Sequence, residues 1–272
     1  MVRVLKLLIS ILYFSYKIFL EKVAWILLSH KTSSCTVLYY HEITTEHRQR
    51  FIEQLELIKK WTTPITADIR KIMDNNKRYA VVTFDDAYQN VYFNAIPELK
   101  ARDIPATIFV PSDYVGKKPA WEHIQNEHED NIMTIGQLQN LPGEFITIGS
   151  HTKSHSNLTL LNIADAKEEL IGSKVALERL MGTTINLFSF PYGAYNERLA
   201  QLAIEVGYQR IFTIEPQMAF RSPEETVTGR VPVHPSDWKI EFLLKIFGAY
   251  AWLNYYNEFK KTISFFKKIF IL

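Results

Sequence analysis

Between residues 36 and 247 the apolar positions of the chain alternate between two spacings. Short runs of consecutive β-branched and aromatic residues fall at 36–40, 79–84, 106–110, 145–148, 185–190, 210–214 and 227–233, the pattern of buried strands. Between them, apolar residues three and four apart predict helices over 46–60, with Phe51, Leu55 and Ile58 inward, and over 87–102, with Val91, Ile96 and Leu99 inward. The same spacing predicts helices over 158–181, 196–206 and 238–247. Residues 112–132 follow neither period, carry Trp121, His123 and His128, and read as a long loop over a site or a solvated one. About seven strand-helix units without an internal repeat predict a parallel sheet, closed or nearly closed as a barrel, with its chemistry at the carboxyl ends of the strands.

The two ends of the chain break this pattern. In residues 1–28, Arg3, Lys6, Ser10, Tyr13, Lys17 and Glu21 follow at spacings of three and four as one narrow polar stripe on an otherwise apolar helix. Its longest uncharged run before Lys17 is residues 7–16, far below the roughly 18–20 that span a bilayer, and no small-residue cleavage site follows. From Phe259, Lys260, Lys261, Lys267 and Lys268 alternate with Ile263, Phe266 and Phe270, a basic amphipathic pattern preceded by Trp252, Tyr255 and Tyr256. The expectation is a membrane-associating helix over 1–30 and a helical basic extension over 236–272. Together they would hold the protein at the cytoplasmic face of the plasma membrane, or as an uncleaved outward-facing anchor. The alternative is that both pack on each other or on the body of the protein.

Composition narrows the chemistry. A chain of 272 residues, 47% hydrophobic, has material for one large domain. With 31 basic against 29 acidic residues there is no field to favour nucleic acid. Cys35 is the single cysteine, so an internal disulfide framework and a cysteine-rich zinc site are excluded, and its place at the start of a strand marks it as a buried structural thiol.

Candidate chemistry gathers at two predicted strand ends. The strand at 79–84 stops at Asp85 and Asp86, adjacent acids whose side chains leave in different directions, so that one could ligate a metal while the other handles a proton. The plainer reading is that one of them caps the next helix. After the strand at 145–148 come His151 and His155, which could chelate one ion from a helical turn or a tight loop. With one aspartate they would form a two-histidine, one-carboxylate set that leaves positions open for water and substrate.

Thr83-Phe84-Asp85-Asp86, then His151-Thr152-Lys153-Ser154-His155 with Asn157-Leu158-Thr159, then Phe188-Ser189-Phe190-Pro191-Tyr192-Gly193 resemble the first three motifs of the polysaccharide deacetylase family, the NodB-homology carbohydrate esterases. Tyr40-His41-Glu42-Ile43 resembles the branch of poly-N-acetylglucosamine deacetylases. The resemblance implies a distorted (β/α)7 barrel over 31–235 that hydrolyses an N-acetyl group on a sugar of a surface polysaccharide or lipid-linked glycan, using a divalent ion, zinc above others. By motif position Asp85 would be the base, and Asp86, His151 and His155 the metal ligands. The Tyr192 backbone would stabilise the oxyanion, and Pro191, Tyr192 and Trp121 would contact substrate. Ser189 stands where many members have an arginine that orients the base. Arg230 could replace it, or serve an ordinary ion pair. Pro232-Val233-His234 departs from the family's Leu-x-His, leaving His234 as candidate acid with His41 as rival; Asp237 and Trp238 border the site or open the last helix. Removal of a formyl group or another amide, and a silent glycan-binding module using Trp121, Tyr192 and Trp238, are the other functions open to this pattern.

Overall fold

The computed structural model describes residues 2–28, 33–69, 77–121, 130–257 and 259–260. His123, His128 and the basic segment from Lys261 onward lie outside the described residues. The strands are β1 (Ser34–Tyr40), β2 (Thr63–Pro64), β3 (Arg78–Phe84), β4 (Ala106–Val110), β5 (Ile146–Ser150), β6 (Leu187–Ser189), β7 (Arg210–Phe212), β8 (Val227–Thr228) and β9 (Val231–Pro232). The helices are α1 (Val2–Leu28), α2 (Arg48–Trp61), α3 (Ile96–Lys100), α4 (Ile135–Gln139), α5 (Ile163–Met181), α6 (Glu197–Glu205) and α7 (Lys239–Ile246).

The sheet runs β8-β7-β6-β5-β4-β3-β1-β9 with parallel pairing throughout, and β2 pairs with the lower part of β3. Its two ends, β8 and β9, are pieces of one segment, so the curled sheet returns to its start across Gly229 and Arg230. The strand expected over 227–233 is thus broken. A side chain at Gly229 would run into the Glu215 carbonyl and the Gln217 side chain, which shows how closely two stretches of backbone approach there. Register aligns the upper strand ends, with Tyr40 opposite Phe84 and Val110 opposite Ser150, and so sets the following residues on one rim.

Alternation along the strands divides the core in two. Cys35, Val37, Val81, Phe109, Leu187 and Phe212 form the cluster inside the curl, while Leu38, Tyr40, Val82 and Phe84 pack outward with Phe51, Leu55 and Ile58 of α2. Two predicted helices begin later than their apolar spacing implies. Asp86 and Ala87 have φ of 68° and 61°, so helix cannot start there; a π-turn at Val91–Ala95 leads into α3, whose Pro97 lacks an N–H. The 158–181 helix divides because Asn157 caps a separate turn at Leu158–Leu160 and Asn162 accepts from the backbone N–H groups of Ala164 and Asp165 to start α5.

Gly149 of β5 lies against the Phe109 ring, where an added Cβ would stand 2.5 Å from two ring carbons and 3.1 Å from the Leu187 carbonyl oxygen. Gly149→Ala is expected to lower unfolding stability by about 1–3 kcal/mol, seen as a lower midpoint in urea denaturation.

Candidate active site

Strand parity delivers the first acid. Tyr79, Val81 and Thr83 take the inward side of β3, and Asp85 continues that side into the barrel. There it meets Arg230, fully buried at the break between β8 and β9. Arg230 Nη1 donates to Asp85 Oδ1 at 2.7 Å and Nη2 to Oδ2 at 2.8 Å. The remaining N–H groups go to Thr83 Oγ1 at 3.1 Å, Ser189 Oγ at 2.7 Å and the Thr213 carbonyl at 3.2 Å, so all five guanidinium donors are used. Tyr39, Phe109 and Phe212 surround the cation, their centroids 4.7, 5.3 and 5.9 Å from its central carbon. Burial pushes the Asp85 carboxyl up more than any single neighbour lowers it, but the charge and hydrogen bonds of Arg230 together with the charges of His151 and His41 hold the group below the usual carboxylate range. Ser189 therefore leaves room for, and accepts from, a guanidinium that reaches the same carboxylate from another strand.

Asp86 would face outward by parity, but its positive φ turns it over the rim toward the second motif. Its Oδ1 lies 3.1 Å from His155 Nε2 and 3.5 Å from His151 Nε2, and the three ligand atoms lie within 4.8 Å of one another. The histidines sit in a loop, with Thr152 and His155 at φ of 62° and 56°, so convergence comes from a strained turn rather than a helical face. Glu169 of α5 holds that turn by accepting from the backbone N–H groups of Lys153 and Ser154 and from the Ser154 hydroxyl. Nothing in the sequence distinguishes Glu169 from the other acids of its helix.

These residues fit a cation. His151 Nδ1 is 2.8 Å from the Ser189 carbonyl, an acceptor, so Nδ1 carries the proton and Nε2 presents a bare lone pair to Asp86. Burial pushes His151 down to about 4, so its ring is neutral near pH 7. Burial raises the Asp86 carboxyl, but contact with the His155 ring and the charge that His151 carries in acid, below about 4, prevail and bring it down to about 2. Asp86 Oδ1 is buried without a hydrogen bond in proper geometry. A carboxylate oxygen and an unprotonated imidazole nitrogen facing each other in a buried site are what a divalent ion would relieve.

The cavity above this set has a volume of about 440 Å³, within the range of about 300–1,000 Å³ common for small-molecule sites. Its wall includes Tyr39, His41, Glu42, Trp121, Tyr192 and His234. Trp121 stacks on His155 with centroids 4.1 Å apart, and Tyr192, half-exposed at φ 59°, sets its ring edge-on to His155 at 4.8 Å. Pro191 is buried behind Tyr192, outside the wall. Gly193 at φ 62° lies where a side chain would collide with Ile214. His234 and His41 both reach the cavity. The Ser236 N–H donates to His234 Nδ1 at 3.0 Å, which leaves the proton of the neutral ring on Nε2, and the His234 N–H donates to Asp237 Oδ2 at 3.1 Å. His41 packs against Tyr39. Burial, and then the neighbouring His47, shift His234 downward. Asp237 and Trp238 lie outside the cavity wall: Trp238 stands at the N-cap of α7, and Asp237 accepts from Lys245. Neither Asp85 nor Asp86 caps a helix, since the first turn after them is preceded by Asn90.

Comparison with known proteins finds relatives of the whole domain. Residues 73–211, 139 of the 272, match the family described as polysaccharide deacetylase. YxkH of Bacillus subtilis, named for that family, is 29% identical over 223 residues, covering 78% of this chain and 75% of that protein. The poly-β-1,6-N-acetyl-D-glucosamine N-deacetylase of Staphylococcus aureus is 25% identical over 178 residues, 62% of this chain and 58% of the relative, so the match spans less than two thirds of that enzyme. The structure of IcaB from Ammonifex degensii superposes with a TM-score of 0.67 at 22% identity, covering 79% of this chain and 98% of the other, a likeness of fold.

Asp86→Ala and His151→Ala are each expected to abolish stoichiometric zinc binding measured by calorimetry, while Asp85→Asn retains it. The Asp85–Arg230 pair yields a second expectation. Removing one partner of a buried pair costs about 3–5 kcal/mol, so Arg230→Ala should unfold at much lower denaturant, and Arg230→Lys should recover only part because the bidentate fork is lost. Since the folded Asp85 pKa is depressed, the pair's contribution is complete above the unfolded value of about 3.9 and is lost as pH falls through the folded one. Stability measured against pH should show that acid loss in the wild type and a weaker one in Asp85→Asn.

Proposed function

The chain belongs to the polysaccharide deacetylase family, and on that premise we propose that it is a metal-dependent hydrolase removing the N-acetyl group from an amino sugar of a bacterial surface glycan. The observation that carries this reading is the division of labour between adjacent acids: Asp86 converges with His151 and His155, while Asp85 is held apart by Arg230. The activity named for the Staphylococcus aureus relative supports a poly-N-acetylglucosamine type of substrate.

A divalent cation held by Asp86, His151 and His155 would supply positive charge that polarises the acyl carbonyl and lowers the pKa of a nearby water. Asp85 accepts the proton that this water gives up as its oxygen bonds to the carbonyl carbon. Both Asp85 oxygens already accept from Arg230, yet each keeps a further lone pair, so the carboxyl can take the proton while the Arg230 hydrogen bonds hold it in place. The backbone N–H of Tyr192 donates to the acyl oxygen as negative charge builds there. In its imidazolium form, with Nδ1–H facing Ser236 Oγ, His234 gives the proton on Nε2 to the sugar nitrogen as the C–N bond breaks and returns to the neutral ring, so acetate and a free amine leave. Trp121 and Tyr192 give the sugar ring flat apolar faces beside the ligand histidines.

The test is acetate release from N-acetylglucosamine oligomers by the zinc-loaded full chain, with product masses read in parallel. Asp85→Asn should lower kcat by about 10²–10⁴-fold with zinc still bound, and His234→Gln should lower it more than His41→Gln. Formate instead of acetate would move the reading to deformylation. Saturable oligomer binding with no hydrolysis would replace it with a glycan-binding module.

A further inference from the structure

Helix α1 docks by a face that sets polar anchors between apolar ones. Arg3, Leu7, Ser10, Phe14 and Lys17, at spacings of four and three, form the face turned to the body of the protein. Arg3 donates to Glu241 at 2.8 Å and to the Ser236 carbonyl at 2.9 Å, and stacks over Trp238. Ser10 is fully buried and accepts from Trp252 Nε1 at 2.9 Å. Phe14 stacks on Phe247 at 5.5 Å, and Lys17 donates to the Phe247 carbonyl at 3.4 Å. The opposite face consists of Leu5, Leu8, Leu12, Tyr16, Phe19 and Leu20, between 45% and 71% exposed. A helix in contact with water on one side normally shows the reverse arrangement. Here the domain has taken Arg3, Ser10 and Lys17 of the polar stripe together with Leu7 and Phe14, and left a wholly apolar stripe outside.

We propose that this outer face of α1 is a membrane-binding surface that lies in the plane of an anionic bilayer. The chemistry around it favours lipid over a second protein copy. Lys6 and Lys22 are exposed on the same helix, and the segment joined to it through Trp252 exposes Tyr255, Tyr256 and Phe259, with Lys260 over the Tyr256 ring. Aromatic rings and lysines bordering an apolar stripe suit the boundary between acyl chains and anionic headgroups. No helix among the described residues is long and apolar enough to cross a membrane, so α1 would lie on the bilayer rather than through it. Its orientation is set by its contacts. The Arg3 end touches the Ser236 loop that carries His234, at the cavity mouth, and the Lys17 end lies by Phe247, whose ring Arg78 at the start of β3 overlies. The helix thus runs alongside the strands, and a membrane on its outer face flanks the barrel without covering the mouth. If the cavity acts on a glycan as proposed above, it would open beside the surface from which a lipid-attached or emerging glycan is reached.

The test is flotation of the full chain with vesicles of phosphatidylglycerol and phosphatidylethanolamine, a readout independent of hydrolysis. Wild-type protein should float with them and bind far less to phosphatidylcholine vesicles. Leu8→Gln, Leu12→Gln and Phe19→Gln together should reduce the bound fraction by at least about tenfold while the thermal transition and hydrolysis of soluble oligomers stay unchanged. A second readout does not depend on that variant: because Cys35 is buried, Leu12→Cys can be labelled alone with a polarity-sensitive dye. Its emission should shift to the blue on anionic vesicles, whereas the same dye at Val175→Cys, exposed on α5, should not shift. Wild-type protein that stays with the soluble fraction, or a lipid-free dimer lost in the triple variant with no vesicle binding, would overturn the proposal.

Discussion

A guanidinium buried at the break between the last two strands is the constraint on which the site depends. Taking Arg230 and Asp85 out of water is costly, and the cost is met only because every guanidinium N–H has an acceptor and the charges meet as a fork. Those acceptors come from β3, β6 and the end of β7, so one side chain ties together the strands that carry the first and third motifs. It also decides what Asp85 can do. A carboxylate held in this way stays ionised and fixed, suited to take a proton from an already acidified water and poorly suited to share a cation with its neighbour.

The separation of the two acids then rests on backbone strain. Asp86, Ala87, Thr152, His155 and Tyr192 are five of the seven non-glycine residues with positive φ among those described, and all lie in the three motif loops. Each costs on the order of 1–3 kcal/mol and persists only where its surroundings over-determine it. Here the surroundings are parallel strands ending at one level, Glu169 gripping the histidine loop and the Ser189 carbonyl fixing His151. The strain turns Asp86 against strand parity and brings two histidines four residues apart onto one point without a helix.

Helix α1 obeys the same rule of satisfied polar groups at a larger scale. Its buried serine and two of its cations, Arg3 and Lys17, have partners on the body, and that choice exposes the leucines. The face that pairs with the protein and the face left exposed are therefore decided by hydrogen bonding as much as by hydrophobicity.

Much of this was legible in residue order alone. Strand and helix periods placed the barrel, because parallel strands buried on both faces leave continuous apolar runs, and the three motifs marked its functional rim. Convergence of one of the two adjacent aspartates with His151 and His155 was inferable because each follows a strand end, and strand ends of a parallel sheet share a side, whereas the choice of Asp86 came from the resemblance to the family. What required tertiary structure were relations between distant segments whose local sequence carries no mark of them. Arg230 stood as a candidate to orient the base with an ordinary ion pair as the alternative, and only packing brings it to Asp85 across 145 positions; Glu169 is one acid among several on its helix, and the inward stripe of α1 depends on acceptors at Ser236, Glu241 and Phe247. Periodicity records which residues share a face; only packing decides what that face meets.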